Sequence, residues 1–166
     1  MVEMQLAAVR VDLQSNTPVV LLQESDGAQR TLPIFIGAPE ATAIAYAMQN
    51  VAVQRPLTHD LLRDVLVDLG VRVDAVVITE LRESTFYAEI RMTHNGTSHV
   101  VSSRPSDAIA LAARLGTQIY AEDSLLDAEG VVLQNEDEPE EPESQDELVM
   151  EFREFIKGIR PEDFSS

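Results

Sequence analysis

The sequence predicts an α+β fold, in which a mixed sheet packs with three to four helices in a single compact domain. Runs rich in β-branched residues predict strands, and apolar residues three or four positions apart predict amphipathic helices. The two patterns are mixed without the strict strand–helix–strand repeat of a doubly wound sheet. At 166 residues, the chain is long enough for one such domain and short for two.

Seven segments carry strand patterns. The clearest is Thr85–Thr93, where apolar and polar residues alternate as expected for a strand with one buried face. Asn95 and Gly96 follow it and predict a type I′ hairpin turn. The predicted strands are Leu6–Leu13, Val19–Gln23, Thr31–Ile36, Val71–Leu81, Thr85–Thr93, Thr97–Ser102 and Ile119–Ala121.

Three helices and a short fourth one are expected. The first begins near Pro39, the second runs from Thr58 to about Leu69, and the third runs from Ser106 to Leu115. Glu122–Ala128 predicts the short helix. In the second helix one stripe is expected to be buried, and it consists of Leu61, Leu62, Val65, Leu66 and Leu69.

The charge of the chain restricts how it can bind nucleic acid. The formal net charge is −17, and 11 of the 12 basic residues are arginines. Residues 1–134 carry 17 acidic and 9 basic side chains, and residues 135–166 carry 12 and 3. Non-specific binding of nucleic acid depends on a broad basic surface, which this composition excludes. A phosphate site would therefore have to be a small cluster of arginines, whose planar guanidinium groups hold phosphate in a bidentate manner.

Other bulk features predict a cytoplasmic protein without a membrane anchor. The chain contains no cysteine, which excludes disulfides and thiolate chemistry. Its first residues lack the basic and apolar regions of a signal peptide. No apolar run approaches the roughly 18 to 20 residues that a membrane-spanning helix needs.

The composition changes after residue 134. Residues 135–144 are acidic and interrupted by prolines, which predicts a disordered linker. Residues 145–166 predict an amphipathic C-terminal helix and tail. The apolar stripe of this helix should dock within a homo-oligomer or on a partner protein. The stripe consists of Leu148, Phe152, Phe155, Ile156 and Ile159.

Two segments place Arg-Pro directly before an amphipathic helix. Arg55 precedes Thr58 and Asp60, and Arg104 precedes Ser106 and Asp107. Thr58 and Ser106 are predicted N-caps, and the two aspartates lie in the first turn, where the helix dipole stabilises a carboxylate. Capping accounts for the hydroxyl and acidic residues, but it does not account for the two arginines.

An arginine beside the free N–H groups of a helix start can form an anion site. Glu40 opens the first helix and could add a carboxylate to the same cluster. His59 lies in the first turn of the second helix and suits a general base or a metal ligand. An ordinary structural histidine at this position is an equal alternative.

These segments resemble the bifunctional nuclease family. Arg55–Leu62 (RPLTHDLL) is similar to one signature of the family, and Arg104–Ala112 (RPSDAIALA) matches another almost completely. Leu32–Gly37 with Glu40 and Ala41, and Thr85–Ala88, are similar to the intervening blocks. The resemblance covers roughly residues 4–130. It implies a mixed α+β domain that is commonly homo-oligomeric, with the DNase and RNase activity attributed to plant members.

We therefore expect a nuclease that hydrolyses phosphodiester bonds in single-stranded or flexible RNA or DNA. The expected catalytic residues are His59, Asp60, Arg104 and Asp107. Substrate would contact Arg55, Thr58, Arg104 and Ser106. A divalent cation, Mg²⁺ or Mn²⁺, could bind Glu40, Asp60 and Asp107 through oxygen ligands.

The alternative is a non-catalytic regulatory module that binds a partner protein or a small anionic ligand. The acidic composition, the lack of a dense metal-ligand motif and the C-terminal stripe all favour it.

Overall fold

Residues 1–132 of the computed structural model are described here. They contain eight strands and four helices, in agreement with the predicted α+β class. The strands are β1 Val2–Asp12, β2 Thr17–Glu24, β3 Arg30–Phe35, β4 Arg72–Arg82, β5 Thr85–His94, β6 Thr97–Ser103, β7 Ile119–Ala121 and β8 Val131–Val132. The helices are α1 Ala38–Met48, α2 Thr58–Asp68, α3 Pro105–Leu115 and α4 Asp123–Glu129.

All eight strands form one mixed sheet in the order β6-β5-β4-β7-β1-β2-β3-β8. Neighbouring strands are antiparallel except for β4 and β7, which are parallel. The short strand β7 therefore joins two antiparallel groups, β4–β6 on one side and β1–β3 with β8 on the other. The predicted mixed sheet is confirmed, and β8 is a short edge strand that the sequence did not predict.

The hydrophobic core lies between this sheet and its helices. Helix α1 packs on β1 and β2, helix α3 packs on β4 and β5, and the two helices contact each other. Strand β4 is buried on both faces, since Val76, Val77 and Ile78 are all inaccessible to solvent. The largest fully buried side chains are Leu22, Leu32, Ile44, Ile78, Ile109, Leu111 and Leu126.

The predicted hairpin between β5 and β6 is confirmed in detail. Asn95 and Gly96 have φ angles of 49° and 77°. A type I′ turn requires positive φ at both central residues, which asparagine and glycine tolerate better than other residues. The turn sets the register in which Ile90 lies opposite Val101.

The predicted N-caps of α2 and α3 are wrong by one or two residues. The N-cap of α2 is Leu57 and that of α3 is Arg104, and neither makes a capping hydrogen bond through its side chain. Pro105 occupies the first position of α3, where its fixed φ and missing N–H are favourable. Ser106 consequently lies inside the helix, with its side chain buried.

The prediction that the apolar stripe of α2 is buried is also wrong within the described residues. His59 is the buried residue of α2, whereas Leu61, Leu62, Val65 and Leu69 are exposed. The helix packs against α3 instead of lying on the sheet. The polar side of α2 faces α3 and forms hydrogen bonds with side chains of that helix.

A buried ion pair connects the β2–β3 hairpin to α4. Arg30 Nε and Nη2 donate to Glu24 Oε1 at 3.0 and 2.6 Å, and Arg30 Nη1 donates to Asp127 Oδ1 at 2.6 Å. These hydrogen bonds from Arg30 hold the pKa of Glu24 below its usual range despite its burial. The arginine thus ties two distant parts of the chain together.

Residues 1–132 contain no helix that is both long and apolar enough to cross a membrane. They form one compact unit up to Val132. The predicted linker at 135–144 and the predicted C-terminal helix at 145–166 lie outside the described residues. The boundaries of these segments stay predictions.

Removal of Arg30 should destabilise the domain, because Arg30→Ala leaves the charged, buried Glu24 with the backbone N–H of residue 30 but without a positively charged partner. Loss of one partner of a buried pair costs about 3 to 5 kcal/mol of unfolding free energy. Arg72→Ala is the matched control, since Arg72 is 76% exposed and its pair with Asp74 lies at the surface. The control should lose less than about 1 kcal/mol. Urea unfolding measures both values, and equal losses would contradict the assigned role of Arg30.

Candidate functional site

The starts of three helices meet through a chain of hydrogen bonds between side chains. Glu40 comes from the first turn of α1 and His59 from the first turn of α2. Arg104 and Asp107 come from the start of α3. We call these four residues the helix-start cluster. Four of the residues singled out from the sequence are thereby brought together.

Asp107 lies at the centre of the cluster. Its Oδ1 is 2.8 Å from Nε2 of His59, and its Oδ2 accepts a hydrogen bond of 2.7 Å from Nε of Arg104. Arg104 Nη2 also donates to Asp107 Oδ1 at 3.1 Å. Burial alone would raise the pKa of Asp107, but the bonds from Arg104 and His59 outweigh it, so its pKa is lower than usual. Asp107 is therefore ionised at neutral pH.

An ionised Asp107 determines which nitrogen of His59 carries a proton. A carboxylate can only accept hydrogen bonds, so Nε2 of His59 must be the donor. In the neutral ring, Nδ1 then keeps a lone pair and can accept a proton. His59 is 9% exposed, and its orientation is fixed by this one bond across two helices.

Arg104 extends the cluster to α1. Its Nη2 donates to Glu40 Oε1 at 3.1 Å, and its side chain is 66% exposed. Gly37, the residue before α1, permits the position of Glu40, since a Cβ atom there would overlap the Glu40 carboxylate. Arg104 is the member of the cluster that solvent reaches most easily.

Asp60 belongs to a separate network on the same helix start. Its Oδ1 accepts a hydrogen bond of 2.7 Å from Arg114 Nε, and its Oδ2 accepts one of 3.0 Å from the Leu57 backbone N–H. Burial favours a higher pKa for Asp60, but Arg114 and the Leu57 N–H outweigh it and lower the pKa. Asp60 thus holds the start of α2 against α3.

The predicted metal ligands are divided between these two networks. Glu40 and Asp107 both bind Arg104, whereas Asp60 binds Arg114. Within the part of the chain that the structure describes, no three His, Asp or Glu side chains are grouped to hold a metal ion. The binding of a cation by Glu40, Asp60 and Asp107 stays a prediction.

The three remaining predicted site residues do not take part in the helix-start cluster. Arg55 and Thr58 are exposed before and at the start of α2. Ser106 is buried in the first turn of α3. Across residues 1–132, Arg55 makes no hydrogen bond or ion pair through its side chain, which leaves its guanidinium group accessible. Their roles in binding substrate stay predictions.

Arg114 is a residue that the sequence analysis missed. It lies seven positions after Asp107, so both side chains project from the same face of α3. That spacing could have indicated a second arginine directed towards α2. Arg114 also lines a cleft of about 230 Å³ between the helices, together with Tyr46, Ala47, Asn50, Val51, Val53, Asp60, Arg63 and Ala113.

The depressed pKa values of Asp60 and Asp107 predict acid destabilisation. A carboxylate with a lower pKa in the folded state stabilises the fold above its unfolded pKa, near pH 4. That stabilisation is lost as the pH falls from there through the folded-state pKa. The melting temperature of Asp107→Asn should therefore depend less on pH below pH 4 than that of the wild type. Parallel curves for the two proteins would contradict the role given to Asp107.

Comparison with known proteins places the domain in a known family. Residues 20–134 match the family described as the bifunctional nuclease domain. An uncharacterized protein of Mycobacterium tuberculosis is 41% identical over 165 residues, which cover 99% of this chain and 98% of the relative. Bifunctional nuclease 2 of Arabidopsis thaliana is 30% identical over 115 residues, 68% of this chain and 35% of the plant protein. Bifunctional nuclease 2 of Oryza sativa subsp. japonica is 28% identical over 117 residues, 69% of this chain and 36% of that protein. The match to the family extends over more than half of the chain and includes all four residues of the helix-start cluster. The chain therefore belongs to the bifunctional nuclease domain family.

Proposed function

We propose that this protein is a nuclease that hydrolyses phosphodiester bonds of RNA or DNA at the helix-start cluster. The observation that carries the proposal is the chain of bonds from His59 through Asp107 to Arg104. It places a proton acceptor and an exposed guanidinium group on the same carboxylate. The names of the plant relatives give independent support.

His59 acts as the general base in the proposed reaction. Its Nδ1 takes a proton from a water molecule, and the water oxygen attacks the phosphorus atom. Asp107 holds the ring in the required tautomer and stabilises the imidazolium ion that forms. The bond from phosphorus to the leaving oxygen breaks, and the proton returns from His59 to that oxygen, directly or through water.

Arg104 binds the phosphate and stabilises the charge that develops in the transition state. Its Nε and Nη2 atoms are engaged by Asp107 and Glu40, but Nη1 makes no bond within residues 1–132 and can donate to a phosphate oxygen. Arg55, exposed before α2, supplies a second donor. An acidic chain with so few exposed arginines favours flexible, single-stranded substrates, because only a strand that bends can bring its phosphate to so small a site.

A Mg²⁺ or Mn²⁺ ion has no step in this reaction. Such an ion would compete with Arg104 for the oxygens of Glu40 and Asp107, because Arg104 already binds both carboxylates. We therefore expect EDTA to leave most of the cleavage activity intact. Loss of activity in EDTA that Mn²⁺ restores would mean that a cation replaces the arginine.

The principal test compares variants on labelled single-stranded RNA and DNA. Arg104→Ala should reduce the cleavage rate at least about tenfold, since loss of one transition-state donor costs roughly 2 to 4 kcal/mol. His59→Gln should cause a similar loss while the melting temperature shows that the protein is folded.

The matched control for this test is Arg72→Ala. Arg72 lies six residues along β4 from Ile78. Ile78 is paired with Ala88 of β5, and Ala88 is paired with Ser103, the last residue of β6 before α3. That separation is about 20 Å. The control should cleave at the wild-type rate. If wild type, Arg104→Ala and Arg72→Ala all cleave equally, the activity belongs to a contaminant and the proposal fails.

A second candidate is a non-catalytic module that binds a partner protein or a small anion. It is favoured by the charge balance of the site, where two carboxylates already neutralise Arg104. A phosphate group must compete with both of them. Complete absence of cleavage by the wild-type protein, together with tight binding of a small phosphorylated ligand, would select this candidate.

A further inference from the structure

The cleft lined by Arg114 is a second place where polar side chains of three helices converge. Its volume is about 230 Å³. Pockets for drug-sized ligands are larger, at about 300 to 1,000 Å³. Small apolar side chains line one part of the cleft, namely Ala47, Val51, Val53 and Ala113. The size and the mixed lining suit one small planar group with a polar edge.

Arg114 is the buried donor of the cleft. Its side chain is only 4% exposed, and it is held by two bonds, from Nε to Asp60 Oδ1 at 2.7 Å and from Nη1 to the Ala110 carbonyl oxygen at 2.8 Å. Its Nη2 makes no hydrogen bond within residues 1–132. The buried polar side-chain atoms that lack a partner in this part of the chain are three hydroxyl groups, so Nη2 keeps access to the cleft. An oriented N–H group of this kind favours a ligand with a hydrogen-bond acceptor.

The charges of the cleft favour an uncharged ligand group. Arg114 is paired with Asp60, and Arg63 is paired with Asp64, whose Oδ1 is 2.7 Å from Arg63 Nη2. The two guanidinium groups are therefore neutralised within the domain. A phosphate in the cleft would lose its hydration without a net positive charge to compensate for it. A polar group without charge avoids this cost.

Tyr46 and Asn50 offer the contacts by which proteins hold a nucleobase. Unpaired bases stack on aromatic rings or guanidinium planes, and their edges bond to polar side chains. Tyr46 is half-buried and lines the cleft together with Arg63. The side-chain amide of Asn50 can both donate and accept hydrogen bonds. Asn50 follows α1 with a φ angle of 51°, a conformation that asparagine tolerates better than most residues.

The cleft lies beside the helix-start cluster. Asp60, which lines the cleft, directly follows His59 in α2. Arg114 lies seven residues after Asp107 in α3, which is about 11 Å along the helix axis. The phosphates of a stacked strand are about 3.4 Å apart along its axis, and those of an extended strand are farther apart. A strand bound at the cluster therefore reaches the cleft within about three nucleotides.

We propose that this cleft is a subsite for one base of the single-stranded substrate, within about three nucleotides of the cleaved phosphate. The inference rests on the proposed nuclease function and adds a base-binding site to it. The base stacks on Tyr46, accepts a hydrogen bond from Arg114 Nη2 and bonds to the amide of Asn50. A base in a duplex must leave its stack before it can enter such a site. The subsite consequently selects single strands.

Binding of adenosine 5′-monophosphate tests the subsite without cleavage, because this probe contains no phosphodiester bond. Saturation-transfer NMR on the full chain should show stronger transfer to the base protons than to the ribose protons. Ribose 5-phosphate, which lacks the base, should bind at least about fivefold more weakly. Tyr46→Leu should weaken binding of the nucleotide at least about fivefold, because base–aromatic stacking contributes at least that much.

Asn50→Gly is a second variant that does not depend on the tolerance of the fold for Tyr46→Leu. Glycine adopts the positive φ angle of this position without strain and removes only the amide. The loss of one hydrogen bond should weaken binding of the nucleotide at least about twofold. Unchanged affinity in both variants would overturn the inference.

Tyr120→Leu is the matched control for Tyr46→Leu. Tyr120 is half-buried like Tyr46, but it belongs to β7 and does not line the cleft. Its substitution should leave the affinity for adenosine 5′-monophosphate unchanged. A loss as large as that of Tyr46→Leu would overturn the inference, and so would equal affinity of the wild type for the nucleotide and for ribose 5-phosphate.

Cleavage of single-stranded DNAs with one abasic position separates this inference from the proposed function. Removal of the base that enters the cleft should raise KM at least about fivefold at one position near the cut, with a smaller effect on kcat. Tyr46→Leu should not respond to that position. Cleavage that ignores abasic sites at every position would overturn the subsite and leave the nuclease proposal intact. A wild type that binds the nucleotide through Tyr46 and cleaves nothing would support the base site and refute the nuclease proposal.

Discussion

The arrangement of the three main helices depends on the hydrogen bonds of Asp107. One carboxylate accepts bonds from His59 of α2 and from Arg104, and Arg104 in turn reaches Glu40 of α1. Within residues 1–132, helix α2 packs mainly on α3 and buries little apolar surface, so its position relies on bonds of this kind. The side chains assigned to chemistry are therefore also the ones that hold a helix in place. Substitutions in the cluster must be judged by stability as well as by activity.

Polar contacts between helix starts also explain the low net charge of the site. Each acidic residue near the helix starts is matched by an arginine: Asp60 by Arg114, and Glu40 and Asp107 by Arg104. A substrate phosphate would thus enter a site whose donors are already oriented and partly engaged. A phosphate bound there would have to replace part of the carboxylate contact with Arg104. It does not attract nucleic acid over long distances, as a broad basic surface would.

Much of the fold could be predicted because its signals are local. Alternation in β5, the Asn95–Gly96 turn and the end of α3 at Leu115 each depend on neighbouring residues, and each prediction is confirmed. The start of α3 was misplaced because a serine and a proline compete for adjacent positions, and Pro105 determines the first turn. The apolar pattern of α2 correctly predicted a helix, but periodicity does not tell which surface covers the apolar side. The meeting of Glu40, His59 and Arg104 depends on contacts between residues 48 and 64 positions apart, which no local pattern contains. The pairing of Arg114 with Asp60, 54 positions away, was missed for the same reason.

Strand β7 has a consequence for the order in which the protein is made and folded. Three residues, Ile119–Ala121, pair with β1 on one side and with β4 on the other, and Val2 lies opposite Ala121. During synthesis, each antiparallel group of strands can form from nearby residues as it leaves the ribosome. The seam between the groups, however, must wait for a segment made more than a hundred residues after β1. Until then, β1 and β4 each present an unpaired edge, which is the kind of surface that promotes aggregation. The nascent chain is consequently most vulnerable late in its synthesis, just before a three-residue strand closes the sheet.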